Sequence, residues 1–76
     1  MLQLNVIKNN LTQVCIKDRT FYFSYNTCIA IKQENVLTID NRKYSRTTEG
    51  HKKTIQENET NNINTIVTAA IDKLII

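Results

Sequence analysis

The sequence predicts a single domain of the α+β class. An antiparallel meander of about five or six short strands is followed by a short helix and by a longer C-terminal amphipathic helix packed on the sheet. Two observations support this prediction. From Leu2 to Ile39 apolar and polar residues alternate in short runs, which is typical of strands with one buried face. Beyond Tyr44 the spacing of the apolar residues becomes helical, most clearly toward the end of the chain.

The first strands form a hairpin in this prediction. Leu2, Leu4 and Val6 alternate with polar residues, and Asn9-Asn10 supplies a two-residue turn before a second strand at residues 12–17. The chain contains no proline, one glycine and ten asparagines. We therefore expect Asn and Asp to form the turns, because they adopt left-handed backbone angles more readily than other non-glycine residues.

Further strands are expected after a break at Asp18-Arg19. They lie at residues 20–25, 28–31, 36–39 and 42–44, the last as the second arm of a final hairpin. Alternation places Phe21, Phe23 and Tyr25 on one face and Tyr22 on the other, and we expect these rings to fill the core rather than to stack on bases.

Two helices complete the predicted fold. A hydroxyl residue, Ser45, Thr47 or Thr48, caps a short helix that continues to about Glu57, although Gly50 in its interior costs about 1 kcal/mol relative to alanine. Thr60 caps the longer C-terminal helix, whose apolar face repeats at helical spacing. The residues of that face are Ile63, Ile66, Val67, Ala70, Ile71 and Leu74.

The composition indicates an ordinary globular chain of 76 residues, with 41% hydrophobic and 22% charged residues. Neither a signal peptide nor an apolar run long enough for a membrane span is visible, so a cytoplasmic protein is expected. Cys15 and Cys28 stand singly in apolar runs, which favours two buried thiols over a disulfide and excludes the paired spacing of metal sites.

Residues for catalysis are scarce. His51 is the only histidine, the acids fall in expected turns, and no glycine-rich loop is present to hold a nucleotide cofactor. A pair of Ser45 or Thr47 with His51 is the one enzymatic alternative. The sequence therefore predicts a protein with no catalytic residues, no metal and no cofactor.

The strongest candidate for binding is a basic segment at residues 42–53. It holds five of the ten Lys and Arg residues of the chain, together with hydroxyls at an expected helix start and one aromatic ring. Such groups suit an anion, a nucleic-acid backbone or an acidic protein surface, and a solvated basic face with a capped helix remains the alternative. The candidate binding residues are Arg42, Lys43, Tyr44, Ser45, Arg46, Thr47, Thr48, His51, Lys52 and Lys53.

Two segments carry a recurring pattern of polar residues. Residues 23–30 include the form Ser-Tyr-x-Thr-x-Val/Ile-Ala, and residues 43–51 the form aromatic-Ser-x-Thr-Thr-x-x-His. Over roughly residues 21–55 the chain resembles a family of short phage and prophage proteins with no assigned activity. The resemblance implies a phage context, and it leaves open whether the recurring positions are structural or functional. Those positions are Tyr25, Thr27, Tyr44, Ser45, Thr47, Thr48 and His51.

The functional expectation combines this resemblance with the basic segment. We expect a small non-enzymatic phage accessory protein that binds and inhibits or redirects a host protein, for example a bacterial defence component in an anti-CRISPR-like manner. The alternative is a small module that binds nucleic acid or a phosphorylated small molecule through residues 42–53. A homodimer formed through an edge strand or through Leu74-Ile75-Ile76 is a further alternative.

Overall fold

A computed structural model describes residues 2–71 of the chain. Within this range six strands form one sheet in the order in which they occur along the chain, and one helix lies on the sheet. The elements are β1 (Leu2–Lys8), β2 (Leu11–Ile16), β3 (Arg19–Ser24), β4 (Thr27–Gln33), β5 (Val36–Asp40), α1 (Arg46–Glu59) and β6 (Thr65–Ala69). The α+β class and the antiparallel meander of β1 to β5 are confirmed.

Two-residue turns connect the antiparallel strands. Four non-glycine residues in these turns have positive φ, namely Asn10 (64°), Lys17 (54°), Tyr25 (57°) and Glu34 (57°). The expectation that Asn and Asp would occupy such positions holds only at Asn10. Tight hairpin connections need left-handed backbone angles whichever residue stands there, and the sheet imposes them on Lys17, Tyr25 and Glu34.

The predicted final hairpin with a strand at residues 42–44 is wrong. Residues 41–45 form the connection between β5 and α1 and belong to no strand. The physical reason is Asp40, whose buried carboxylate binds Arg42 and Tyr44 and so folds the chain back on the end of β5.

The predicted C-terminal helix is also wrong, because β6 occupies its place and pairs in parallel with β5 from Val36 opposite Thr65 to Asp40 opposite Ala69. Residues 65–68 are Thr-Ile-Val-Thr, all β-branched, which favours strand over helix. Thr60 is the C-cap of α1 and not the N-cap of a second helix. The predicted position Leu74 lies outside the described residues.

The main core lies between the sheet and α1. Tyr22, Leu37 and Ile55 are each at most 1% exposed and belong to one cluster. A β-bulge in β4 places Cys28 opposite Phe23 and Ala30 opposite Tyr22, so that Ile29 is the extra residue. The complete cluster is Leu11, Tyr22, Ile29, Ala30, Leu37, Ile39 and Ile55, with Ile7, Tyr44 and Ile63 packed against it.

A second, smaller cluster lies on the opposite face of the sheet. Phe21 and Phe23 share this face, as predicted, and pack with Cys28, Ile31 and Ile71. Tyr25 leaves the sheet at the turn and is 54% exposed. Cys15 and Cys28 are both free thiols. No helix in the described range has the length and apolar character of a membrane span.

The strand identity of β6 can be tested by replacing Thr65 and Thr68 together with alanine. Both side chains are exposed, so the change acts mainly through backbone preference. We expect the free energy of unfolding to decrease by about 1 kcal/mol, because threonine favours strands over alanine. Urea denaturation followed by circular dichroism measures it. An increase would contradict the strand, since alanine stabilises a helix.

Candidate functional site

The two polar segments at residues 23–30 and 43–51 meet where α1 begins. Ser45 is the N-cap, and its hydroxyl oxygen accepts a hydrogen bond from the backbone N–H of Thr48 at 3.4 Å. The predicted hydroxyl cap is thus confirmed and assigned to Ser45. Glu49 reinforces the start of the helix, because its carboxylate accepts the backbone N–H of Tyr44 at 3.0 Å.

Below this cap lies a buried cluster of hydroxyls and imidazole. The hydroxyl of Ser24 lies 2.9 Å from that of Thr48 and 2.7 Å from Nδ1 of His51. All three residues are at most 6% exposed. The cluster joins the end of β3 to the first turns of α1, so it holds the helix at a fixed position on the sheet.

The surroundings of His51 favour its neutral form. Burial lowers the pKa of His51, the positive charge of Lys8 lowers it further, and a hydrogen bond to the backbone of Asn9 opposes both effects. With the ring N–H donated to the Asn9 carbonyl, Nδ1 accepts the hydroxyl of Ser24. The imidazole therefore links the β1-β2 turn, β3 and α1.

The hydroxyl bonded to His51 belongs to Ser24, and not to Ser45 or Thr47 as the enzymatic alternative supposed. Ser24 is 2% exposed, and the cluster contains no carboxylate to orient the ring. A nucleophile needs access to its substrate as well as a base. The geometry is that of a structural junction.

A second polar cluster surrounds Asp40, whose side chain is 0% exposed. Arg42 donates to its Oδ2 from Nε at 3.0 Å and from the terminal guanidinium nitrogen at 2.8 Å, and the hydroxyl of Tyr44 donates to the same oxygen. Burial alone raises the pKa of Asp40, but these donors outweigh it and hold the pKa below its ordinary value. Burial and the adjacent carboxylate raise the pKa of Tyr44 to about 12.

Lys52 completes this cluster from α1. Its ammonium donates to the carbonyl of Arg42 at 2.7 Å, pairs with Glu49 at 3.0 Å and lies 4.9 Å from the centre of the Tyr44 ring. Arg42 lies 5.6 Å from the centre of the same ring. Two cations of the basic segment are thus engaged in fixing the loop before α1, and the Tyr44 ring is occupied.

The far end of α1 is held by a third cluster. Lys32 donates to the buried carboxylate of Glu59 at 2.8 Å. Burial raises the pKa of Glu59, yet the hydrogen bonds from Lys32 and Tyr22 outweigh this effect and lower it. Gln13 donates to the hydroxyl of Tyr22 at 3.4 Å. Both ends of the helix are therefore attached to the sheet through polar contacts.

The ten predicted binding residues divide into two groups. Six contribute to the clusters at the start of α1, and four point outward. The inward group is Arg42, Tyr44, Ser45, Thr48, His51 and Lys52, although the Arg42 side chain is itself 52% exposed. The outward group, exposed to solvent, is Lys43, Arg46, Thr47 and Lys53.

Arg46, Gly50 and Lys53 form a stripe on the side of α1 that faces away from the sheet, and we name this stripe the outer face. The three positions follow helical i, i+4, i+7 spacing. Among the residues that the structure describes, Arg46 and Lys53 form no ion pair. Gly50 is exposed, and a Cβ built there meets nothing within 4 Å.

Sequence reasoning missed Ser24, Asp40 and Glu59 as members of the polar clusters. Ser24 carried a usable signal, because strand alternation places it on the same face as the core residue Tyr22. Asp40 and Glu59 carried none, since their burial depends on contacts with distant residues. No group of three or more His, Cys, Asp or Glu in the described range is arranged to hold a metal ion.

The buried hydroxyl cluster predicts different costs for two serine and threonine substitutions. Ser24→Ala removes a hydroxyl bonded to both Thr48 and His51, and we expect the free energy of unfolding to decrease by about 2 kcal/mol. Thr47→Ala, at an exposed position of the same motif, should change it by less than about 0.5 kcal/mol. Chemical denaturation compares them, and equal effects would show that the cluster is not the junction.

His51 predicts a pH dependence of stability. Because its pKa is lower in the folded protein, the unfolded chain takes up the proton first as the pH falls. The contribution of His51 to the free energy of unfolding is complete above the ordinary pKa of about 6.5. It decreases as the pH falls from that value toward the folded-state pKa. Asp40, Glu49 and Glu59 have lowered pKa values and act only in a more acidic range.

We therefore expect the free energy of unfolding to decrease between about pH 7 and pH 5 in the parent chain and to remain nearly constant in His51→Gln. Urea denaturation at several pH values measures both. The same decrease in the variant would assign the effect to other groups, because His51 is the only histidine.

Comparison with known proteins gives one result for this chain. Neither the curated proteins nor the solved structures contain a match. The model of one protein family matches residues 2–72, which includes every described element of the fold and both segments that meet at the start of α1. The chain belongs to DUF8033, a family of unknown function.

Proposed function

We propose that this chain is a small non-enzymatic phage-type accessory protein that binds a host protein through the outer face of α1. The observation that carries the proposal is Gly50, an exposed glycine in the interior of α1. It lies between the basic residues Arg46 and Lys53 on the outer face. The partner surface is acidic, and its closest approach to the chain is at Gly50.

The charge of the outer face supports an acidic partner. Arg42 and Lys52 are engaged with Asp40 and Glu49, whereas Arg46 and Lys53 extend into solvent. Lys43 lies nearby and is also exposed. The helix already fixes the backbone of these cations, so only their side chains lose freedom when they meet carboxylates, and electrostatic attraction favours association.

Gly50 supports a close contact with that partner. Glycine in a helix interior costs about 1 kcal/mol relative to alanine. Nothing inside the protein requires this cost, since a Cβ at Gly50 meets no atom within 4 Å and φ at that position is not positive. An external reason is a partner whose backbone or bulky side chain packs against the bare helix.

A protein partner is favoured over nucleic acid. Base stacking needs an available ring, and both Arg42 and Lys52 already contact the Tyr44 ring. Three exposed cations neutralise few phosphates, which corresponds to a salt slope of about −3 at most. The phage resemblance directs the search toward host factors, with components of bacterial defence among the candidates.

Capture from host lysate tests this proposal. The tagged parent chain should retain a discrete host protein after nuclease treatment, and Arg46→Glu should lose it by reversing one charge of the outer face. Lys17→Glu is the matched control, because it makes the same charge change at an exposed turn outside α1. Loss of the captured material on nuclease treatment would instead support the nucleic-acid alternative.

Gly50→Ala separates stability from binding. We expect the free energy of unfolding to increase by about 1 kcal/mol, because alanine replaces glycine in a helix without a clash. We also expect affinity for the captured protein to decrease by at least about tenfold, which is about 1.4 kcal/mol, because the new methyl group blocks close approach.

The control for this variant is Asn58→Ala, which improves helix propensity at another exposed position of α1. It should leave the affinity unchanged. Denaturation and calorimetric titration measure the two quantities. Unchanged affinity in Gly50→Ala would contradict a contact at the outer face.

A further inference from the structure

We propose that the sheet face opposite α1 is the interface of a homodimer, in which it packs against the same face of a second copy of this chain. We name this surface the open face. It is separate from the outer face of α1, so the failure of one proposal leaves the other standing.

The strands at one side of the sheet place their apolar residues away from the helix. In β1, Leu4 and Val6 lie on the open face, whereas Gln3 and Asn5 lie on the face that carries α1. Leu4 is 61% exposed and Val6 is 69% exposed. If α1 were the only cover of β1, the apolar residues would lie on the face that carries the helix. Their position on the open face therefore indicates that another surface covers this face.

One row of residues on this face crosses the whole sheet. The strand registers align one residue from each strand, and five of the six are apolar. The row is Leu4, Val14, Phe21, Ile31, Thr38 and Val67. Its two ends, Leu4 and Val67, are 61% and 39% exposed, so the apolar surface continues to both edges.

Ile71 covers only the middle of the open face. It is 0% exposed and packs with Phe21, Phe23, Cys28 and Ile31. On both sides of this contact, large apolar side chains remain in solvent. They are Leu4, Val6, Ile16, Val36 and Val67.

The area of the open face corresponds to a small dimer interface. Six strands about 4.8 Å apart, each with about six residues rising about 3.3 Å, give a flat area of about 600 Å². Ile71 already covers the middle of this area. The part left for a second copy is therefore smaller than the roughly 800 Å² that each partner contributes to a standard interface.

The charge distribution fits a second copy. Arg19 lies on the open face, at the end of the sheet where β4 turns into β5. A groove of about 390 Å³ at this end is lined by Arg19, Glu34 and the apolar residues Ile31 and Val36, among others. Two copies related by a twofold axis bring apolar surface onto apolar surface and can pair Arg19 of each with Glu34 of the other.

A permanently exposed apolar sheet face is also an aggregation hazard. A second copy is the one partner present wherever the chain is synthesised. The resulting dimer has four layers, with two sheets inside and a helix on each outer side, and it leaves the outer face of α1 free in both copies.

Sedimentation equilibrium of the full chain tests the proposal. We expect a mass of twice the 8.8 kDa of one chain at micromolar concentration. Val6→Lys should weaken dimerisation by at least about 100-fold, because it places an unpaired charge in the interface. The fold itself should be unaffected, since Val6 is 69% exposed within one copy. Circular dichroism verifies this.

The matched control is Asn5→Lys, which introduces the same residue next to Val6 on the other face of β1. It should remain a dimer. A second test at the opposite edge, Val67→Lys in β6, should also yield monomers. A monomeric parent chain, or dimers in both lysine variants of the open face, would overturn the proposal and leave residues 72–76 or a different protein as the cover.

Discussion

The carboxylate of Asp40 is the constraint on which the arrangement of the helix depends. A charged group with no exposed area at the end of a buried strand must be fully hydrogen-bonded, and the donors come from Arg42 and Tyr44 in the next few residues. This requirement turns the chain back at once after β5. Lys52 then binds the carbonyl of Arg42, so the same loop also sets where α1 begins.

The hydroxyl cluster acts on the same junction from the sheet side. Ser24 bonds both Thr48 and His51, and His51 is kept neutral by burial and by the nearby charge of Lys8. Together the two clusters hold α1 on the meander. The chain can then return after α1, and β6 pairs in parallel with β5. Ser24, Thr48 and His51 in the two polar segments thus have a physical reason to be there, which is the attachment of the helix.

The same attachment separates two surfaces. Because the inward side of α1 contacts the sheet and the preceding loop, the exposed cations of α1, Arg46 and Lys53, lie on the outer face with Gly50. Because only one helix is present in the described range, it covers one face of the sheet and leaves Leu4 and Val6 in solvent on the other. The partner and the second copy that we propose would therefore contact surfaces on opposite sides of the chain.

By itself, the sequence determined the meander of β1 to β5 and a hydroxyl cap at the start of α1, because alternation and capping act between near neighbours in the chain. The tertiary structure decided what followed α1. Residues 65–68 fit helical spacing, but the edge of β5 offered unpaired backbone groups. The β-branched residues of this segment pair well with that edge, so the segment became β6. It also decided which cations of residues 42–53 remain available. That outcome depended on Asp40 being buried, and burial is settled by contacts between elements rather than by the residues on either side.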